Sequence, residues 1–204
     1  EEGKFQAADD EAGAECDFCA AGFAFVNEAV ACAACPTGKM QAVDNAKHAL
    51  CGFCAKGFAF VNEAKACATC PEGKYQPDAA LASAQCEFCP SGWEFVDKNQ
   101  LCGRCPPGKF QGEDNVAGVE CQECPKGMYQ DLTTTSECIG CAEGRYRDDL
   151  GGKQASECHS CSPGTYADTP GHEACKKCDL GRYMSAEQTG ATAAGDCKSC
   201  LAGT

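Results

Sequence analysis

The residues of this chain best equipped for chemistry are its cysteines. All 22 fall in eleven C-x-x-C pairs. The pairs are Cys16 and Cys19, Cys32 and Cys35, Cys51 and Cys54, Cys67 and Cys70, Cys86 and Cys89, and Cys102 and Cys105, then Cys121 and Cys124, Cys138 and Cys141, Cys158 and Cys161, Cys175 and Cys178, and Cys197 and Cys200. Such pairs can hold zinc as thiolates, run dithiol redox chemistry, or form structural disulfides. Zinc takes four ligands per ion, so eleven pairs leave one over, and the net charge of −13 is unlike the basic balance common in zinc-binding arrays. A redox dithiol is a single C-x-x-C at a strand-to-helix junction, whereas these copies recur evenly with no βαβ pattern around them. The sequence therefore predicts structural disulfides, with no metal and no cofactor.

Composition supports this. The 204 residues include only seven leucines, seven valines, one isoleucine and ten phenylalanines, too few for an ordinary core. Poverty of that kind with strong net charge reads as disorder, unless covalent cross-links replace the core. Cross-links in such number require an oxidising compartment, so the chain is expected to be extracellular or at the cell surface, by way of the secretory pathway. No run of 18 apolar residues predicts membrane insertion, and the opening EEGKFQ lacks signal-peptide character. Acidity argues against nucleic acid or anionic lipid as partner. Thr133-Thr134-Thr135-Ser136 is a candidate for O-linked sugar or a plain polar loop.

The intervals between pairs alternate between short ones of 12 or 13 residues and long ones of 15 to 18. First cysteines at 16, 51, 86 and 121 give a period of 35, loosening at 158 and 197. This predicts repeats at 16–50, 51–85, 86–120, 121–157 and 158–196, preceded by a partial interval at 1–15 and followed by the start of another at 197–204, so that the chain reads as a window of a longer array. Glycine stands three residues after the second cysteine of every pair, from Gly22 to Gly203. Many pairs continue C-P-x-G, which sets a tight turn with φ > 0 at the glycine. Short intervals then carry aromatics two apart, Phe23 and Phe25, Phe58 and Phe60, Trp93 and Phe95, on one face of a strand. With Phe18, Phe53 and Phe88 inside the C-x-x-C pairs, these rings form a predicted small core over the disulfides. The expected fold is small, disulfide-rich and mostly β: an elongated tandem array of short hairpin modules with little helix.

Pairing stays open between three schemes. Cysteines within one C-x-x-C could bond, but that leaves the long intervals unclosed. A ladder could join neighbouring pairs first-to-first and second-to-second, either across short intervals (Cys16 to Cys32, Cys19 to Cys35) or across long ones (Cys32 to Cys51, Cys35 to Cys54). The aromatics inside the short intervals favour the first ladder.

Other residues offer little chemistry. His48, His159 and His172 sit in loops without a repeated partner, and Asp9-Asp10-Glu11 and Asp148-Asp149 lack the spacing of a calcium loop. No nucleophile, base and orienting group can be assembled, so the chain is predicted to be no enzyme. Lys39, Lys74 and Lys109 recur every 35 residues beside Gln41, Gln76 and Gln111, a regular surface that could meet a periodic partner or merely complete each hairpin.

The stretches CPEGKYQPDAALASAQCEFCPSG (70–92), CPPGKFQGEDNVAGVECQECPKGMYQ (105–130) and CSPGTYADTPGHEACKKCDLG (161–181) resemble the ephrin-receptor-like, growth-factor-receptor-type cysteine-rich repeat. They are also similar to tumour-necrosis-factor-receptor modules and protist cysteine-rich surface proteins. The resemblance implies slender rods of disulfide-bonded hairpins in very large secreted or cell-surface proteins, with no catalytic residues. The expected function is a non-enzymatic structural segment of a filament, coat or surface appendage. Its expected partners are other protein chains of an extracellular assembly, copies of itself among them. The alternative is a ligand-binding or adhesion ectodomain.

Overall fold

The computed structural model describes residues 2–6 and 15–200. The chain divides into two compact units, Glu1–Phe88 with Phe95–Cys102, and Cys89–Glu94 with Gly103–Thr204. Asp9, Asp10, Glu11 and Gly203, singled out above, lie outside the described residues.

In the first unit, β1 (Phe23–Ala24) pairs antiparallel with β2 (Ala33–Ala34), and β3 (Phe58–Ala59) with β4 (Ala68–Thr69). The intervening loops close on single bridges, Phe5 to Asp17, Met40 to Gly52 and Tyr75 to Glu87. In the second unit β5 (Trp93–Glu94) pairs with β6 (Gly103–Arg104), β7 (Lys109–Phe110) with β8 (Gln122–Glu123), and β9 (Met128–Tyr129) with β10 (Ile139–Gly140). There follow β11 (Arg145–Tyr146) with β12 (His159–Ser160), β13 (Thr165–Tyr166) with β14 (Lys176–Lys177), and β15 (Arg182–Tyr183) with β16 (Lys198–Ser199). Helix among the described residues is limited to two 3₁₀ turns, Ala155–Glu157 and Ala194–Asp196. The chain is a tandem array of small disulfide-rich β modules.

Each hairpin follows from the C-x-x-C spacing. Its first strand begins just after the turn glycine, and its second strand is the dipeptide inside the next C-x-x-C: Ala33–Ala34 lies between Cys32 and Cys35, and Lys176–Lys177 between Cys175 and Cys178. The ten turn glycines among the described residues, Gly22 to Gly181, have φ between 74° and 89°. Sterics at Cβ bar most residues from that region. Close approach adds a second demand, since a Cβ at Gly92 would come within 2.6 Å of the Thr134 carbonyl.

Consecutive loops are joined by backbone hydrogen bonds. In the first unit Gly22 and Gly57 donate to the carbonyls of Gln41 (2.7 Å) and Gln76 (2.8 Å), while Gln41 and Gln76 donate to Glu63 and Lys98 (both 2.9 Å). In the second unit Gly108 and Gly127 donate to Gln130 and Arg147 (both 2.8 Å), and Gln130 donates to Gly152 (2.9 Å). Main-chain bonds are indifferent to side chains, so the position three after the turn glycine can hold Phe25, Gln41, Arg147 or Ala167 without loss of the joint.

Sulfur occupies the interior. Among the largest fully buried side chains are Cys19, Cys54, Cys89, Cys105, Cys124, Cys141 and Cys161, and the only non-cysteine among them is Gln76. Among the described residues no aromatic ring is part of the buried core, and Phe23 is exposed. The predicted aromatic core is therefore replaced by the disulfides themselves, with the rings lying half-buried on the module surface.

Candidate functional site

The second cysteine of each pair bonds the first cysteine of the next. The bonds are Cys19–Cys32, Cys35–Cys51, Cys54–Cys67 and Cys70–Cys86 in the first unit, and Cys105–Cys121, Cys124–Cys138, Cys141–Cys158, Cys161–Cys175 and Cys178–Cys197 in the second. Their Cα–Cα distances are 5.5–5.8 Å, within the ordinary range. Cys89 and Cys102 are disulfide-bonded as well. Cys16 and Cys200 are exposed and hold free thiols in this chain. Cys200 still donates its N–H to Gly181 O at 2.8 Å, as Cys35, Cys70 and Cys105 do to the turn glycine of the preceding pair.

This arrangement corrects the expected ladder, in which Cys16 would bond Cys32 and Cys19 would bond Cys35. The reason lies in the strand between the two cysteines. Residues three apart on an extended segment face opposite sides and stand roughly 10 Å apart at about 3.3 Å per residue. The two sulfurs of one C-x-x-C therefore leave the strand on opposite faces, and in this structure they bond different loops. The first cysteine closes the loop behind it and the second opens the loop ahead. Short and long intervals are consequently closed alike, at separations of 13 and 16 residues in the first unit.

The recurrent lysines and glutamines are also accounted for by the hairpins. Lys39 Nζ lies 4.6 Å from the centroid of the Phe53 ring and Lys74 Nζ lies 4.1 Å from that of Phe88. Each ring lies within the C-x-x-C that supplies the strand opposite. Gln41, Gln76 and Gln111 are buried, at 6%, 1% and 3% exposure. Their amide groups donate to the carbonyls two residues on, Gln41 Nε2 to Val43 O (2.8 Å), Gln76 Nε2 to Asp78 O (2.6 Å) and Gln111 Nε2 to Glu113 O (2.7 Å). The glutamines thus hold the start of each long loop and present no outward stripe. Of the two readings open from the sequence, a surface for a periodic partner or residues that complete each hairpin, the glutamines follow the second. The signal that could have found them is their fixed offset from the turn glycine.

The histidines have local partners. His48 meets the Phe25 ring edge-on at 5.6 Å, and His159 faces Tyr146 across β11 and β12 at 5.7 Å. His172 Nε2 lies 3.0 Å from Asp168 Oδ1 and 3.1 Å from Thr169 Oγ1, while Lys176 Nζ donates to both Asp168 oxygens at 2.7 and 2.9 Å. These bonds, Lys176 foremost and then His172, hold the Asp168 carboxyl below its usual range, and Asp168 raises Lys176 in turn. The group has hydroxyl, imidazole and carboxylate, yet it cannot act as a catalytic triad. Both partners contact the same ring nitrogen, whereas a triad needs the base and its orienting carboxylate on opposite nitrogens. The cluster is a clasp across the β13–β14 loop. Asp148 and Asp149 are exposed surface charges.

The disulfide-closed hairpins of the second unit lead to a family. Residues 115–158 and 150–197 match the family described as tyrosine-protein kinase ephrin type A/B receptor-like. This part of the chain is similar to ephrin-receptor-like repeats. The matched stretches run from the loop before Cys121 to Cys197, the part in which every loop forms a two-stranded hairpin with its own disulfide. The ephrin-receptor-like repeat is a non-catalytic module. No curated protein matches the chain at a significant level. No helix among the described residues is long and apolar enough to cross a membrane.

Proposed function

We propose that the chain is a non-enzymatic structural segment of a large extracellular or cell-surface protein, giving a disulfide-stiffened frame to a filament, coat or surface appendage. The observation that carries this reading is the closure of successive loops by consecutive disulfides, each loop also hydrogen-bonded to the next through main chain. Each closed ring of about 15 residues lowers unfolded-state entropy by roughly 3 kcal/mol. Stability is thus spread along the array and no single loop is left free to close over a substrate. The arrangement of His172 supports the same reading, because the one histidine with hydroxyl and carboxylate neighbours cannot relay a proton between them. The partners are other protein chains of the assembly, in an oxidising compartment outside the cytosol.

Immunogold imaging of native cells with an antibody to this chain tests the proposal. Label on a filament or coat, with neighbouring chains along it, is the expected result; isolated soluble molecules would overturn it. The alternative, a ligand-binding ectodomain, draws on the receptor-like family match and would be favoured by nanomolar binding of a soluble ligand.

A further inference from the structure

The long loop closed by Cys105–Cys121 carries a glutamate at three places where its two predecessors do not. The position two after the buried glutamine is Val43, then Asp78, then Glu113; the residue before the first cysteine is Leu50, then Gln85, then Glu120. The second residue inside the following C-x-x-C is Phe53, then Phe88, then Glu123. Where Lys39 and Lys74 cover rings, Lys109 instead stands opposite Glu123 in register, and among the described residues no ion pair joins them.

The three glutamates line one cleft of about 920 Å³ within the second unit, together with Phe110, Val116, Val119 and Leu150. No lysine, arginine or histidine lines it. Val119 is buried at its floor, whereas Val116 and Leu150 are 42% and 55% exposed. Nearby acids are spent on the fold: Asp114 Oδ1 accepts from Ser91 N–H at 2.7 Å, and Glu94 Oε2 from Cys121 N–H at 3.3 Å. No donor of the described chain reaches the carboxylates of Glu113, Glu120 or Glu123. A fourth acceptor lies beneath them. Gln111 lines the cleft at 3% exposure, and its Oε1 has no hydrogen-bond partner.

We propose that this cleft binds a basic peptide segment of a partner protein, seating a lysine or arginine side chain beside an apolar residue. A long aliphatic stem fits an apolar floor while its cationic head remains among carboxylates. Guanidinium and ammonium groups carry donors and no acceptors, which suits a site whose charged lining side chains are all carboxylates. The net charge of −13 steers such a segment toward the chain, with a rate that falls as salt rises. The cleft gives the steered segment a place to dock. This inference is independent of the structural role proposed above, because the frame would stand unchanged if the cleft were empty.

The test uses the full chain and three blocked seven-residue peptides: alternating Lys-Leu, alternating Lys-Gly, and alternating Glu-Leu. Amide chemical shifts are followed in a titration, in parallel with calcium chloride alone and with dilution of the protein alone. The expected result is that Lys-Leu shifts amides of 110–123 and 150, binds at least fivefold tighter than Lys-Gly, and weakens with salt. Glu-Leu should leave these amides unmoved. Substitution of the three glutamates together (Glu113→Gln, Glu120→Gln, Glu123→Gln) should weaken Lys-Leu at least tenfold with the remaining spectrum intact. The proposal is overturned by shifts scattered over the acidic surface, by equal binding to the substituted chain, or by no binding at millimolar peptide. Calcium alone producing the same local shifts would assign the cleft to a cation, and dilution doing so would assign it to a second copy; either also overturns the proposal.

Discussion

Cys35 donates its backbone N–H to the carbonyl of Gly22 at 2.8 Å. That bond seats the second cysteine of one C-x-x-C beside the turn that opened the preceding hairpin, and it recurs as Cys70 to Gly57 (2.8 Å), Cys105 to Gly92 (3.0 Å) and Cys124 to Gly108 (2.9 Å). The offset of three residues between cysteine and glycine is thus a geometric requirement: the glycine turns the chain so that the strand after it runs back beside the next C-x-x-C. The cysteine at the far end of that dipeptide has already passed the hairpin and opens the next loop.

The turn glycines are predicted to be irreplaceable where a following loop presses on them. Gly92→Ala should destabilise the second unit by about 1–3 kcal/mol from its φ of 82° and by its approach to Thr134. Gly52→Ala is the control, since Gly52 has open space about it and should tolerate the change within about 0.5 kcal/mol. Denaturant unfolding with disulfides intact, read against proteolysis at 133–136, measures both.

Gln76 should tolerate loss of its amide better than gain of a charge. A carboxylate in Gln76→Glu would be buried against the Asp78 carbonyl that now accepts from Nε2 at 2.6 Å. Its folded-state pKa would rise above the unfolded value, so the deficit is smallest at low pH and grows as pH rises past the ordinary glutamate range. Gln76→Met should show no such pH dependence. Parallel denaturation curves at pH 4 and pH 7 check the sign; equal deficits at both would contradict it.

How much of this was open to reading from the sequence depended on what each residue type reveals. Gly22, Gly57 and Gly92 announced turns because few other residues adopt φ > 0, and the spacing of Phe23 and Phe25 announced strand. The oxidised hairpin array followed from those signals. Pairing was not legible, because Cys16 and Cys19 look equivalent until the backbone between them is known to be extended. The burial of Gln41, Gln76 and Gln111 was not legible for a related reason. Glutamine is usually exposed, and only the loop geometry supplies the carbonyls that make its burial affordable. The acids of the 105–121 loop were visible singly, but their gathering in one cleft depends on how that loop folds back over Phe110.

The lysine over each ring should contribute modestly. A double-mutant cycle on Lys74→Met and Phe88→Leu is expected to give a coupling of about 0.5–1 kcal/mol. A coupling indistinguishable from zero would show that the 4.1 Å approach is incidental.

The clasp at the β13–β14 loop makes an opposite pair of pH statements. Asp168 is depressed, so its contribution is present above the unfolded carboxyl pKa and is lost as pH falls through the lower folded value; Lys176 is raised, so its contribution is present below the unfolded lysine pKa and is lost as pH rises through the higher folded value. Following the Asp168 side-chain carboxyl by NMR, Lys176→Met should move its titration toward the ordinary range. An unmoved midpoint would show that Lys176 does not set it.

The pairing of second cysteine with next first cysteine is tested most directly by tryptic mapping without reduction, after alkylation of free thiols. Cleavage after Lys177 and Arg182 separates Cys178 from both Cys175 and Cys197. The peptide 178–182 should be recovered linked to 183–198 through Cys178–Cys197, with the alkyl label on Cys16 and Cys200. Recovery of 178–182 linked to the peptide carrying Cys161 would contradict it, for that is the product of the second-to-second ladder.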